Sequence, residues 1–218
     1  MTVLPLWRAD HEKCPDADID RIVNGAALEF ASSLESIKVS TRHWEDSKLA
    51  TALIRLAVDE CLGKLAKTGL WGSENRLPSN QFWKIAGSYL QCGWLQRRAR
   101  EKPLGYAGDH ELLRRICEQQ CTDDPLGVCF DQYFLAQSAP EAVRQRTALA
   151  ARQLASSALA HPDGLCVVGV GCGPALEIDQ GLKLLSAQSH SPIQVTLLDL
   201  CGEALTTAEK RLSGLLPR

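Results

Sequence analysis

The feature that most constrains the fold of this chain is an alternation of strand and helix patterns that begins at His161. An apolar run, LCVVGV (165–170), is followed by a glycine-rich turn and an amphipathic segment, and IQVTLLDL (193–200) precedes a last helical segment. Short apolar runs of this kind are typical of buried strands. The order strand, helix, strand, helix predicts a parallel sheet with crossover helices, that is, an α/β fold.

The residues before this point are predicted to be entirely helical, because their apolar residues recur at three- and four-residue steps. The predicted helices cover 22–39, 48–67, 81–100, a segment from His110 onward, 124–136 and 140–160. A cluster of Gly, Pro, Ser and Asn over 68–80 predicts a loop or a boundary. We therefore expect an all-helical N-terminal region over 1–160 and an α/β domain over 161–218.

The composition argues against several classes of function. A formal net charge of −2 over 218 residues gives no basic field that would attract nucleic acid. No segment reaches the roughly 18 uninterrupted apolar residues of a membrane span, and no signal-peptide pattern opens the chain, so we expect a cytoplasmic protein. The nine cysteines are odd in number and irregularly spaced, which predicts reduced core residues and no metal site.

The turn after the first predicted strand carries candidate ligand-binding residues. Gly171 and Gly173 flank Cys172 at the carboxyl end of this strand, where ligands bind in open α/β sheets. Glycine lets the backbone approach a ligand closely, and the amides of the next helix favour an anionic group. The second strand ends in Asp199 and Leu200, which places a carboxylate where ribose hydroxyls can donate to it. These features predict an adenosine-containing ligand; the alternative is a purely structural turn with a capping Asp.

The identity of that ligand depends on one further position. A dinucleotide fingerprint requires a third glycine three residues after Gly173, and this chain has Leu176 there. The pattern VGVGCGPA resembles motif I of the class I S-adenosylmethionine-dependent methyltransferases, and TLLDLCGEALTTAEKRL is similar to their second motif, with Asp199 as the ribose carboxylate. The resemblance covers 164–214 and implies a Rossmann-like domain with S-adenosyl-L-methionine as cofactor. An NAD-dependent oxidoreductase stays open as an alternative.

A narrower resemblance is carried by EKPLGYAGDHELLRRI (101–116). It looks like the P-x-G-Y-A-G-D segment of the bacterial methyltransferases of extracellular factor biosynthesis, whose product is a 3-hydroxypalmitic acid methyl ester that serves as a diffusible signal. In those proteins a helical region precedes the same GVGCGPA turn. This resemblance implies a small-molecule substrate, a fatty acid whose carboxylate is methylated to an ester.

Tyr106 and Asp109 are the candidate site residues of the segment 103–109. If the segment reaches the cofactor, Tyr106 offers a ring and a hydroxyl, and Asp109 a carboxylate for the cofactor amine or a substrate group. This requires one of the two side chains to lie within about 10 Å of the Gly171–Gly173 turn. Alternatively, Asp109 only caps the helix from His110, with Tyr106 packed under it. We expect His110 to be a surface or turn residue.

Two strands make a poor sheet, because they leave unpaired edges. The class I methyltransferases complete a larger sheet, so we expect this chain to hold only the first β-α-β-α unit of an incomplete Rossmann-like methyltransferase sheet. A missing C-terminal half or a partner chain would complete it. Two hypotheses follow: an enzyme that transfers a methyl group to an oxygen nucleophile, or a truncated, non-catalytic binding or regulatory fragment. No catalytic residue is predicted.

Overall fold

The computed structural model describes residues 15–41, 45–70, 72–185 and 192–215. Within these residues it has nine α-helices and one two-stranded parallel sheet. The elements are α1 (Asp16–Ser40), α2 (Ser47–Ala66), a 3-10 turn (Gly72–Asn75), α3 (Arg76–Leu90), α4 (Trp94–Glu101), α5 (His110–Glu118), α6 (Pro125–Leu135), α7 (Ser138–Ala160), β1 (Leu165–Val170), α8 (Leu176–Leu185), β2 (Ile193–Leu198) and α9 (Gly202–Leu212). The predicted order of helices, then strand, helix, strand and helix, is confirmed. None of the described helices is both long and apolar enough to cross a membrane.

Contacts within the chain divide it into two compact units. The first unit comprises the described residues up to Arg97 together with Cys121–Tyr133, and the second comprises Arg98–Gln120 and the described residues from Phe134 onward. The second unit therefore includes α5 and α7 as well as the sheet. These units do not follow the division at residue 160 that the sequence pattern suggests, because α5 and α7 make their contacts with the α/β elements.

The first unit has a helical core to which α1, α2, α3 and α6 contribute. Its largest fully buried side chains are Leu34, Ile54 and Phe130, which come from three different helices. Phe82 of α3 packs at the edge of this core, with its ring centroid 6.1 Å from that of Phe30. The apolar faces that predict α1 and α2 are thus the faces that become buried.

The region from 68 to 100 differs from the sequence prediction. In place of a loop over 68–80 and one helix over 81–100, α3 already begins at Arg76, and the chain turns before α4 begins at Trp94. Pro78 lies in the first turn of α3, where a missing N–H is tolerated, so it does not delay the helix. The interruption has a tertiary cause: the buried carboxylate of Asp131 accepts a hydrogen bond of 2.8 Å from the Leu95 amide and thereby caps α4.

The sheet of the second unit is packed on one face only. β1 and β2 are parallel, with Leu165 opposite Ile193 and Val170 opposite Leu198. Val167, Val195 and Leu197 point toward α8 and α9, which supply Ile178, Leu182, Ala208 and Leu212 to a common core. Residues of the other face are exposed among the described residues, including Val170 and Leu198. Both strands are therefore apolar runs in the sequence, although only alternate side chains pack against the helices.

A candidate ligand site at the carboxyl end of the sheet

The glycine-rich turn after β1 has the backbone conformation that its sequence predicts. Gly171 and Gly173 have φ of +61° and +50°, in the left-handed region that side chains disfavour. A Cβ at Gly171 would meet no atom within 4 Å, so the space above this residue is open. Ala175 shares the unusual conformation, with φ of +50°, and lies buried just before α8. The turn therefore presents bare backbone at the carboxyl edge of the sheet.

Asp199 joins this turn to the end of β2. Its Oδ2 accepts a hydrogen bond of 2.7 Å from the Gly173 amide, and its Oδ1 accepts one of 2.8 Å from the Cys201 amide. The hydrogen bond from Cys201 is the main cause that lowers the pKa of the Asp199 carboxyl; partial burial opposes it and the bond from Gly173 assists it. The Leu200 amide assists at the same carboxyl. Because a carboxylate can accept about four hydrogen bonds, the group keeps acceptor capacity beyond these amides.

Cys172 and Leu200, the remaining predicted residues at this edge, point in opposite directions. Cys172 is buried, and its amide donates to the Leu198 carbonyl oxygen over 3.1 Å, which extends the strand pairing by one step. Burial raises the pKa of the Cys172 thiol, and the charge of Asp199 adds to this effect. The side chain is thus a neutral part of the core. Leu200 is fully exposed just after Asp199 and offers an apolar surface beside the carboxylate.

The segment 103–109 precedes α5 within the same unit as the sheet. Gly105 and Gly108 have φ of +83° and +73°, so the segment makes the tight turns that its two glycines predict. Tyr106 is 46% exposed. Partial desolvation raises the pKa of the Tyr106 phenol, and the negative charges of Cys201, Asp199 and Asp109 act in the same direction, which shows that this ring lies near the end of β2.

Asp109 has a structural role in this segment. It is the N-cap of α5, and its Oδ1 accepts hydrogen bonds from the amides of Glu111 and Leu112 at 3.1 and 3.0 Å. The Arg98 side chain donates from Nε to both carboxylate oxygens at 2.9 Å. The carboxylate is 2% exposed. These contacts are those of the capping interpretation, and a contact between Asp109 and a cofactor stays a prediction.

His110 is the site residue that the sequence interpretation missed. It is 8% exposed, so the expectation of a surface or turn residue is wrong. Its Cβ lies 3.9 Å from the position that a Cβ on Gly173 would take, and its Nδ1 lies 3.8 Å from the Cys201 Sγ. α5 therefore begins directly beside the glycine turn, as the functional interpretation of the preceding segment requires. A ligand contact by Tyr106 itself stays a prediction.

The arrangement unites parts of the chain that are far apart in sequence. The glycine turn, the end of β2 and the start of α5 meet around one carboxylate, Asp199, and one imidazole, His110. In the part of the chain that the structure describes, no group of three His, Cys, Asp or Glu side chains has the spacing of a metal site. Comparison of the chain with protein-family models, curated proteins and solved structures finds no match.

Proposed function

We propose that the carboxyl end of this sheet binds the adenosine part of S-adenosyl-L-methionine, and that the protein is a methyltransferase with a Rossmann-like cofactor domain. The observation that carries the proposal is Asp199: the amides of Gly173 and Cys201 fix its two oxygens, and the partly exposed carboxylate can accept further hydrogen bonds. Two acceptor positions on neighbouring oxygens match the two adjacent hydroxyls of a ribose.

The surrounding residues are compatible with this ligand. The open space at Gly171 leaves room for a ligand to approach the backbone, since even a Cβ there would touch nothing within 4 Å. Leu200 offers an exposed apolar surface for the flat face of a base. In contrast, the third position of the dinucleotide fingerprint is Leu176, which is buried in the core of the unit, so the close approach that a pyrophosphate makes at glycine is disfavoured.

When bound, S-adenosyl-L-methionine supplies an electrophilic methyl group on a positively charged sulfur. The chain would hold the ribose through Asp199 and leave the turn at Gly171 to face the remainder of the ligand. A carboxylate acceptor is already anionic and needs no general base, so the contribution of the protein would be orientation and proximity. The resemblance over 101–116 favours a 3-hydroxy fatty acid as the acceptor.

Calorimetric titration with S-adenosylhomocysteine tests the cofactor assignment without requiring turnover. A hydrogen bond to a charged group contributes about 1.5–3 kcal/mol. We therefore expect Asp199→Ala to weaken binding roughly 10- to 150-fold. Asp163→Ala is the matched control, because Asp163 is an exposed residue of the same unit at the amino end of β1. Circular dichroism verifies that both variants fold.

The outcomes separate the functional alternatives. No binding heat in the folded wild-type protein, or equal affinity of Asp199→Ala and wild type, contradicts the proposal. Binding of NADH in place of S-adenosylhomocysteine would favour the oxidoreductase. Transfer of a radiolabelled methyl group to 3-hydroxypalmitic acid, measured as label extracted into organic solvent, tests the acceptor; binding without transfer to any fatty acid would favour a non-catalytic binding fragment.

A further inference from the structure

Cys201 and His110 form a thiol–imidazole pair at the edge of this site. Cys201 is partly exposed and occupies the N-cap position of α9, where its side chain makes no capping hydrogen bond. Its Sγ instead lies 3.8 Å from the His110 Nδ1, within the range of a hydrogen bond to sulfur. His110 is more than nine-tenths buried, so its ring is held in place beside the thiol.

Two features of this position favour reaction at the Cys201 sulfur. The N-terminus of an eleven-residue helix, α9, supplies amide donors and the positive end of the helix dipole. The imidazole of His110 supplies a proton acceptor. The negative charge of Asp199, two residues earlier, acts against them, but that charge is itself bonded to the Cys201 amide.

We propose that Cys201 is a thiol-modification site, with His110 as the proton acceptor, and that a mixed disulfide at Cys201 closes the adenosine site. The Cys201 proton passes to His110 Nδ1, and Sγ attacks one sulfur of a low-molecular-weight disulfide such as glutathione disulfide. The S–S bond breaks, and the departing thiolate takes a proton from His110. The cysteine is thereby oxidised to the mixed disulfide, while the second sulfur of the small disulfide is reduced to a thiol.

Closure of the site follows from the position of Cys201 and rests on the function proposed above. The Cys201 amide donates a hydrogen bond of 2.8 Å to Asp199 Oδ1. A group attached to Sγ is therefore part of the residue that positions the carboxylate proposed to bind the ribose. A glutathionyl group is much larger than the 3.8 Å between Sγ and His110 Nδ1, so we expect it to occupy the space beside Asp199 that a ribose would use. A reductant removes it, so the closure is reversible.

The first experiment measures modification alone and needs no ligand. The full chain is treated with iodoacetamide, or with glutathione disulfide, at pH 7, and the modified peptides are quantified over time by mass spectrometry. Cys166 is the internal control, because it is exposed on β1 and its Sγ faces the side-chain oxygen of Gln194. We expect Cys201 to react about tenfold faster than Cys166, because Cys201 has a histidine nitrogen beside its sulfur to accept the proton, whereas the Cys166 sulfur faces an amide oxygen.

His110→Gln removes the proton acceptor and keeps a side chain of similar reach. It should bring the rate at Cys201 down to that at Cys166, with the rate at Cys166 unchanged. Equal rates at the two cysteines in the wild type overturn the proposal, as does a fast Cys201 in a folded His110→Gln variant. If His110→Gln does not fold, the wild-type ratio of the two rates decides.

The second experiment links the thiol to the ligand. Pretreatment with glutathione disulfide should abolish S-adenosylhomocysteine binding, dithiothreitol should restore it, and Cys201→Ser should make binding insensitive to the disulfide. Binding that persists in the fully modified protein overturns the closure. If Cys201 reacts rapidly through His110 but S-adenosylhomocysteine does not bind the reduced protein, the modification site stands and the proposed function fails.

Discussion

Gly127, near the start of α6, tests the packing of the first unit most directly. An added Cβ at this position would lie 2.3 Å from the carbonyl oxygen of Cys92 and 2.5 Å from the Thr122 Cγ2. The nearest of these atoms belongs to the backbone of the turn between α3 and α4, so it cannot rotate away. Gly127→Ala must therefore move α6 or that turn by about 1 Å in a densely packed region.

The magnitude follows from two opposing effects. Overpacking costs about 1–3 kcal/mol, and the upper end applies because backbone must move. Alanine recovers at most about 1 kcal/mol of helix propensity. We therefore expect Gly127→Ala to lower the free energy of unfolding by about 2 kcal/mol. Gly63→Ala is the matched control: Gly63 lies in α2 with no atom within 4 Å of its added Cβ, so this variant should gain about 0.5–1 kcal/mol.

Urea unfolding followed by tryptophan fluorescence is a suitable assay, because Trp83 of α3 and Trp94 at the start of α4 belong to the first unit and no tryptophan follows them in the sequence. Relative to the wild type, Gly127→Ala should lower the urea concentration at the midpoint of unfolding and Gly63→Ala should raise it. The dependence of the unfolding free energy on urea should be the same for all three proteins. If Gly127→Ala is as stable as the wild type, the close approach of α6 to Cys92 is wrong.

Two further predictions concern ionisable groups. Asp109→Ala removes the cap of α5 and leaves Arg98 without its carboxylate, so thermal unfolding of the second unit should show a loss of about 2–4 kcal/mol. Asp163→Ala, at an exposed position of the same unit, should change stability by less than about 0.5 kcal/mol. An unchanged melting curve for Asp109→Ala would contradict the buried ion pair. Burial raises the pKa of the Cys61 thiol to about 11. The neutral thiol therefore contributes fully to stability below the ordinary cysteine pKa of about 8.5, and this contribution is lost progressively as the pH rises through 11. Iodoacetamide at pH 8 should therefore label the exposed Cys166 and spare Cys61, and rapid labelling of Cys61 in the folded protein would show that α1 and α2 do not enclose it.

Most helices and both strands could be predicted from the sequence because their patterns are local. The helical periods give α1 and α2, and the apolar runs give β1 and β2 nearly to the residue. The break between α3 and α4 could not be predicted, since the residue that caps α4, Asp131, lies 36 positions from the amide it holds. Gly93 stands at the break, but Gly87 lies inside α3, so a glycine alone does not mark the end of the helix.

The candidate site likewise has some residues that the local sequence predicts and others that it does not. The strand pattern places Gly171, Gly173 and Asp199 at the carboxyl ends of two parallel strands. Because these ends meet at one edge of a sheet, the sequence predicts that the three residues lie together. His110 and Cys201 lack such a marker: 91 positions separate them, and their meeting depends on how α5 packs in the second unit. The segment 103–109 is the local signal near this site. Its pattern indicates Tyr106 and Asp109 as candidate residues, and it ends directly before His110.

The interleaving of the two units has a consequence for synthesis on the ribosome. The helical core of the first unit needs Phe130 and Cys129 of α6, so its earlier helices must wait while the segment from Arg98 to Gln120, which belongs to the other unit, is made. At about 5–20 residues per second, the 36 residues between Arg97 and Tyr133 take roughly 2–7 seconds. During that interval the apolar faces of α1, α2 and α3 stay without their last partner. Nascent chains halted before α6 has left the ribosome should therefore engage chaperones more than chains halted after the whole of α6 has emerged.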